Sequence, residues 1–240
     1  MRSDLKEHHF DLLSEKGRVN SMIWQKIVCI VIGYAFGLFQ TAFILGKMNH
    51  IDIRDYGSGN SGTTNVMRTL GKKSGFITYF GDALKAVFAI IFTYFIFKNQ
   101  CDGHAFLIAL YTGFGVVLGH NFPFYMNFNG GKGIAASSGL IFGLMIFDYK
   151  FVIIGFITFF GMLYITKYVS FSSLCLMFGL FVEIVVFGQL EQINGLHNDD
   201  RIEAYILTFV ITALSFIRHR ENIKRLLNGT ERKIGQKKND

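Results

Sequence analysis

The sequence predicts an all-α, polytopic integral membrane protein with about seven transmembrane helices. The chain has 240 residues, is 51% hydrophobic and contains 27 Phe. Its apolar residues form long runs, whereas a soluble domain would distribute them in short periodic stripes. A single proline is present, so glycines and charged residues must mark most boundaries between elements.

Seven apolar runs can be drawn along the chain, at residues 23–46, 76–97, 104–120, 134–147, 151–166, 171–188 and 202–217. Several of these runs are shorter than the ~20 residues that cross a bilayer comfortably. We therefore expect some helices to end inside the protein, around a polar cavity.

The two ends of the chain are hydrophilic. Residues 1–22 do not resemble a secretory signal, because acidic residues interrupt them and no cleavage site follows a short apolar core. We therefore interpret them as a mobile N-terminal extension. Residues 23–232 form the predicted membrane domain, and residues 233–240 form a basic C-terminal tail.

The formal net charge of +7 would suit nucleic acid, but its distribution favours a membrane orientation instead. If the seven runs alternate across the bilayer, 15 Lys and Arg residues lie on one side and only three in the loops of the other. The positive-inside rule makes the basic side cytoplasmic. The five basic residues of the N-terminal region would then lie outside, which conflicts with the rule.

The cysteines and histidines do not predict a metal site. Cys29, Cys101 and Cys175 are scattered, lie mostly in apolar runs and lack metal-ligand spacing, so we interpret them as packing residues.

The first polar cluster is Gly57-Ser58-Gly59-Asn60-Ser61-Gly62-Thr63-Thr64-Asn65, with Arg68 shortly after it. The glycines let backbone N–H groups turn toward one point, the short polar side chains add donors, and the arginine adds a planar cation. This composition is typical of an anion-binding cradle, most plausibly for phosphate.

Two further clusters fall on the same predicted side. The second cluster consists of Gly119-His120-Asn121-Phe122-Pro123 and, a few residues later, Asn129-Gly130-Gly131-Lys132-Gly133. A lysine among glycines suits phosphate, because small residues let the backbone approach a ligand and the lysine adds a mobile charge. The alternative is a flexible loop with a snorkelling lysine. Arg218-His219-Arg220-Glu221-Asn222 closes the last run, and a continuous helix would place Arg218 and Asn222 on one face. An ordinary basic helix end is the alternative there.

Two smaller features lie near these clusters. Asp82 and Lys85 are spaced i,i+3 within the second run, where isolated charges are costly, so we expect a mutual, structural ion pair lining the cavity. Ser170 follows the fifth run and, taken alone, could be only a helix N-cap.

Taken together, the motifs GSGNSGTTNVMR, GHNFP with FNGGKG, and RHRENIKRL resemble those of the PlsY family, the bacterial acyl-phosphate–glycerol-3-phosphate acyltransferases. The resemblance covers about residues 23–232. It implies a seven-helix enzyme of the bacterial cytoplasmic membrane whose active site faces the cytoplasm. It further implies transfer of a fatty acyl group from acyl phosphate to the 1-hydroxyl of sn-glycerol 3-phosphate, giving lysophosphatidate and phosphate, without a metal or other cofactor. The expected partners are these two substrates and the lipid bilayer, with no nucleic acid.

The resemblance also implies which residues act. The catalytic set would be Ser58, Arg68, Lys132, His219 and Asn222. The substrate-binding or phosphate-binding set would be Gly59, Asn60, Thr64, Asn65, Ser170, Arg218 and Arg220. One departure is Asn129, which replaces a lysine usual in the family and so removes a positive charge near the phosphates.

The residues suggest a mechanism and leave two rivals. Phosphate is a good leaving group, so the protein need only position the glycerol hydroxyl and stabilise charge, and we expect direct attack without an acyl-enzyme. The hydroxyl proton would go to the donor's own phosphate or to His219, and we favour a role for His219 in binding substrate phosphate over that of an obligatory base. The rivals are an organophosphate transporter, disfavoured because the motifs cluster on one face, and a CDP-alcohol headgroup transferase, disfavoured because acidic residues are few.

Overall fold

The computed structural model describes residues 22–101 and 103–236, and its regular structure over these ranges is helical. The first helix, α1, spans residues 22–37. The others are α2 (Thr41–Met48), α3 (Thr63–Thr69), α4 (Gly71–Phe97), α5 (Ala105–Asn121), α6 (Ile134–Leu144), α7 (Lys150–Thr166), α8 (Val169–Gln189), α9 (Arg201–Arg218) and α10 (Arg220–Leu227). The predicted all-α architecture is confirmed. The N-terminal extension and the end of the basic tail lie largely outside the described residues.

Each predicted apolar run coincides with a helix, but the helices differ in their ability to cross a membrane. Four segments are long and apolar enough: Met22–Met48, Gly71–Phe97, Ala105–Met126 and Val169–Gln189. Residues Asn198–Arg218 with Arg220–Leu227 make a fifth if the bent pair is one span. Helices α6 and α7 have only 11 and 17 residues. The count of seven crossings therefore stays a prediction.

One predicted run is broken, and a second break follows the last run. The first run divides between α1 and α2, where the side chain of Gln40 donates to the carbonyl groups of Gly37 (3.3 Å) and His120 (2.9 Å). The last run ends with α9, and the chain then bends by 61° between α9 and α10, at His219. Arg218 and Asn222 therefore lie on different helices rather than on one face of a continuous helix.

The core lies between α4, α5, α6, α8 and α9, where side chains such as Phe106, Leu140, Met177, Leu180 and Ile184 are fully buried. Helix α7 lies at the edge of the bundle, since only Phe151 and Gly155 of its residues are buried. This core supports the loops that carry the polar motifs.

Helices α1 and α5 approach closely through glycines on both sides. A Cβ atom added to Gly33 would lie 2.2 Å from the carbonyl oxygen of Thr112, and one added to Gly115 would lie 2.4 Å from that of Ile30. Small residues at such spacing let two membrane helices bring their backbones together. This contact fixes the end of α1 against α5, next to the break that precedes α2.

We predict that Gly115→Ala lowers the stability of the folded protein by about 1–3 kcal/mol, because its methyl group would force α1 and α5 apart. Thermal unfolding in detergent measures the change. Gly161→Ala in α7 is the matched control, because no atom lies within 4 Å of its added Cβ. It should be neutral or gain up to about 1 kcal/mol from helix propensity. Equal unfolding temperatures for the two variants would contradict the close contact.

Candidate active site

A cavity of about 450 Å³ opens at one end of the bundle and gathers residues from all three polar motifs. Predicted site residues that line it are Ser58, Asn60, Thr64, Asn65, Arg68, Lys132, Ser170, His219 and Asn222. These residues come from distant parts of the chain, so the fold brings the predicted motifs together. Gly59, Arg218, Arg220 and the variant position Asn129 are not among its lining residues.

Asn65 shapes the first loop from within. Its side-chain amide donates to the carbonyl groups of Ile53 (3.0 Å) and Tyr56 (2.9 Å), and its Oδ1 accepts from the backbone N–H of Ser58 (2.8 Å). Gly57 has φ of 63°, and a Cβ there would lie 2.2 Å from Asn65 Oδ1. The amide of Asn65 is thus occupied in holding the loop, whereas the guanidinium of Arg68 makes no hydrogen bond or ion pair with any described residue.

Arg218 holds the second loop in place. Its guanidinium donates to the carbonyl groups of Gly130 (3.0 Å) and Gly131 (2.9 Å) and lies 5.4 Å from the ring centre of Phe122. The backbone N–H of Gly131 in turn donates to the carbonyl group of His120 at the end of α5 (3.2 Å). These contacts fix the residues just before Lys132.

Lys132 and Asn222 join the second and third motifs, because the ammonium of Lys132 donates to Asn222 Oδ1. Burial lowers the pKa of Lys132 to about 8, and the nearby cations Arg225, Arg218 and Arg68 act in the same direction. The lysine therefore carries its charge at neutral pH and begins to lose it in mildly alkaline solution.

His219 is buried at the bend between α9 and α10. Burial and, to a lesser extent, the charge of Lys132 lower the pKa of its imidazole to about 4, against a smaller opposing effect of the Ser215 carbonyl group. Its Nδ1 lies 2.8 Å from that carbonyl oxygen, which can only accept. We therefore assign the ring proton to Nδ1, so that Nε2 of the neutral ring has a free lone pair.

Glu231, which is not among the residues predicted from the sequence, connects the third motif to α8. Its Oε1 accepts from Ser170 Oγ (2.8 Å) and Asn222 Nδ2 (2.7 Å), and its Oε2 accepts from Arg225 Nε (2.7 Å). Burial alone would raise the pKa of this carboxyl, but these hydrogen bonds outweigh it and hold the pKa below the usual value. Because Nδ2 of Asn222 is directed to Glu231, its Oδ1 faces Lys132.

The cap interpretation of Ser170 was wrong. The N-cap of α8 is Tyr168, and Ser170 lies inside the first turn with its hydroxyl donated to Glu231. Arg225, Thr230 and Arg232 also line the cavity without having been predicted. The one signal in the sequence for this part of the site is Glu231 itself, the single acidic residue of the otherwise basic stretch 222–238.

The remaining predicted residues have different surroundings. Arg220 is exposed, with its side chain 3.6 Å from the carboxylate of Glu221. Asp82 and Lys85 form the predicted ion pair at 3.0 Å, both side chains being almost fully buried, and Asp82 lines the cavity. Among the described residues, no three His, Cys, Asp or Glu side chains are grouped so that they could hold a metal ion.

Comparison with known proteins gives consistent matches over nearly the whole membrane domain. The glycerol-3-phosphate acyltransferase family model matches residues 27–229. The glycerol-3-phosphate acyltransferase of Alkaliphilus metalliredigens is 38% identical over 213 residues, covering 88% of this chain and 97% of the relative. That of Clostridioides difficile is 38% identical over 218 residues, covering 90% and 98%.

Two solved structures share the fold. The crystal structure of PlsY, an integral membrane glycerol 3-phosphate acyltransferase, in its glycerol 3-phosphate form has a TM-score of 0.73 and 30% sequence identity, covering 88% of this chain and 96% of that chain. Its lysophosphatidic acid form has a TM-score of 0.72 at the same identity.

We predict that anion binding in the cavity weakens as Lys132 loses its charge. Sulfate is a suitable probe because its own charge stays constant over this range. Its affinity should fall roughly tenfold from about pH 7 to about pH 9.5, the value expected for losing one charge-assisted contact. Neutral His219 contributes nothing to this change, because its pKa is about 4.

Lys132→Arg is the matched control for that titration, since an arginine stays charged throughout the range. Its sulfate affinity, measured by calorimetry or by ligand-dependent thermal stabilisation, should be nearly independent of pH. A wild-type affinity that is equally flat would show that Lys132 is not the titrating ligand.

Proposed function

The chain belongs to the glycerol-3-phosphate acyltransferase family, and on that premise we propose that it transfers a fatty acyl group from acyl phosphate to the 1-hydroxyl of sn-glycerol 3-phosphate. The products are lysophosphatidate and inorganic phosphate. Family membership favours this reaction over the transport of an organic phosphate. The observation that carries the proposal is the cavity itself, in which phosphate-binding groups of three motifs face one space.

Both substrates carry phosphate, and the cavity lining suits two such groups. The first loop offers backbone N–H groups and the hydroxyl of Ser58, and α3 adds the guanidinium of Arg68, which has no hydrogen-bond partner among the described residues. These groups fit the phosphate of the acyl donor. Lys132, Arg225 and Arg232 supply positive charge on the opposite loops for the phosphate of the acceptor. Glu231 offsets part of this charge while orienting Asn222.

Direct transfer fits the cavity better than an acyl-enzyme. A serine nucleophile requires a base beside it. Ser170 donates to Glu231, but that carboxylate also accepts from Asn222 and Arg225, so it is a weak base. Acyl phosphate is already activated, and the protein therefore has to align the hydroxyl with the carbonyl carbon and stabilise the developing charge.

His219 is suited to hold the attacking hydroxyl. With its proton on Nδ1, the neutral ring offers Nε2 as an acceptor, which attracts an O–H group and repels a phosphate oxygen. Its low pKa makes it a poor final proton carrier. In the balanced reaction the hydroxyl oxygen bonds to the acyl carbon, the carbon–phosphate oxygen bond breaks, and the proton leaves on the phosphate as hydrogen phosphate.

The proposed location is the bacterial cytoplasmic membrane, with the cavity facing the cytoplasm. The cavity is built by the loops that carry most of the basic residues, and the positive-inside rule assigns these loops to the cytoplasm. There the site would receive glycerol 3-phosphate from solution and the acyl donor from the bilayer. Acyl phosphate needs no further activation, so the reaction as written requires neither a nucleotide nor a metal.

We predict that the purified protein releases phosphate from acyl phosphate only when glycerol 3-phosphate is present, without added nucleotide or metal. Arg68→Ala should lower kcat/KM about 100-fold, because an unpaired cation of the donor site is lost. Phosphate release in detergent or liposomes is the measurement. Lys72→Ala, which removes an exposed charge at the start of α4, is the control and should keep near wild-type activity. No release by the folded wild type would refute the proposed reaction.

We predict that His219→Gln keeps turnover within about tenfold of wild type, because the glutamine carbonyl oxygen can still accept the hydroxyl hydrogen bond. His219→Leu, which offers no acceptor, should lose a further tenfold or more. The two variants are compared by kcat at saturating substrate. Equal and nearly complete loss in both folded variants would indicate instead that His219 is an obligatory base.

A further inference from the structure

One carboxylate oxygen in the cavity has no partner. Asp82 lies in α4, is 1% exposed and lines the cavity. Its Oδ1 accepts from Lys85 Nζ at 3.0 Å and from Thr41 Oγ1 at 3.2 Å. Its Oδ2 is buried and accepts no hydrogen bond from any described residue. The ion pair with Lys85 therefore uses only half of the carboxylate.

An unpaired buried carboxylate oxygen is costly and requires an explanation. His120 lies beside this carboxylate, but its Nδ1 is 2.9 Å from the ammonium of Lys85 and 3.7 Å from Asp82 Oδ1, so that nitrogen accepts from the lysine. Its other ring nitrogen lies against Gly131, where an added Cβ would be 2.1 Å away. Because no described residue donates to Oδ2 and Asp82 lines the cavity, a molecule bound in the cavity is the candidate donor.

The charge of Asp82 limits what this donor can be. Asp82 is the twelfth residue of α4, about three turns along this helix from its start, which directly follows α3 and Arg68. A carboxylate repels phosphate and attracts a hydroxyl group. The cavity thus has a cationic region suited to phosphates and a separate anionic point suited to an O–H donor.

We infer that Asp82 Oδ2 accepts a hydrogen bond from the 2-hydroxyl of glycerol 3-phosphate and so selects an acceptor with a hydroxyl at that carbon. The inference rests on the proposed function. Glycerol 3-phosphate has two hydroxyl donors, and two ring or carboxylate acceptors of the lining residues, His219 Nε2 and Asp82 Oδ2, have no hydrogen-bond partner among the described residues. The 1-hydroxyl belongs at the acyl carbonyl with His219, which leaves the 2-hydroxyl for Asp82.

The test compares glycerol 3-phosphate with 3-hydroxypropyl phosphate, which keeps the phosphate and the attacked hydroxyl but lacks the 2-hydroxyl. The wild-type enzyme should use the shorter acceptor with a kcat/KM about 10–100-fold lower, since a site built for a hydroxyl rejects the analogue without it. Asp82→Asn, in which an amide NH₂ replaces Oδ2, should reduce this ratio to about threefold or less. Asp148→Asn is the matched control. The buried carboxylate of Asp148 pairs with Lys150 at 3.0 Å and does not line the cavity, so the ratio for this variant should stay that of wild type.

If Asp82→Asn does not fold, the wild type decides with two more acceptors. Replacing the 2-hydroxyl by an ammonium keeps a donor and should be tolerated within about threefold, whereas replacing it by fluorine removes the donor and should cost tenfold or more. Efficient use of the fluorinated acceptor, or an unchanged ratio in folded Asp82→Asn, would overturn the inference. Failure of the wild type to acylate glycerol 3-phosphate at all would refute the proposed function instead.

Discussion

The buried ammonium of Lys85 is the contact on which the rest of the structure depends. It pairs with Asp82 on its own helix and donates to the carbonyl groups of Gly37 (3.2 Å) and Phe39 (2.6 Å) at the break between α1 and α2. Carbonyl groups freed by a helix break within a membrane must find a partner in the protein, because lipid offers none. Lys85 supplies that partner and also contacts the ring of His120, whose backbone carbonyl group accepts from the N–H of Gly131, just before Lys132. One cation thus links α1, α4 and α5 next to Asp82 and His120, which line the cavity.

Around the cavity, the polar residues divide into those that hold loops in place and those that remain available to ligands. Asn65, Arg218 and Glu231 form hydrogen bonds with backbone groups or neighbouring side chains and so fix the three motifs. Arg68 and the second nitrogen of His219 have no such partner among the described residues. In the proposed reaction, loops that are fixed in advance would lower the ordering cost of binding both substrates, which is a main contribution that a protein can make to transfer from an activated donor.

Much of this arrangement was predictable because it follows from local patterns. Long apolar runs gave the helices, glycine-rich polar stretches gave the loops, and the spacing of Asp82 and Lys85 gave the ion pair. The bend at His219 was not predictable, since neither glycine nor proline marks it and the helical pattern continues into Asn222. Nor was Glu231, because its contact with Ser170 joins residues 61 apart and nothing in the terminal segment indicates that it folds back. Long-range pairing of this kind depends on the packed bundle rather than on any short stretch of sequence.

The 61° bend that ends α9 has a consequence for where the enzyme gains its rigidity. After the bend, α10 turns Asn222 inward while Lys224 and Leu227 are exposed, a mixture typical of helices that lie along the membrane–water boundary. The bundle thus supports the segment that supplies Asn222, Arg225 and Glu231 from one side only and leaves Lys224 and Leu227 uncovered on the other. A bilayer surface that covered this second face would serve as part of the scaffold, and the position of these three side chains would then depend on the membrane as well as on the polypeptide.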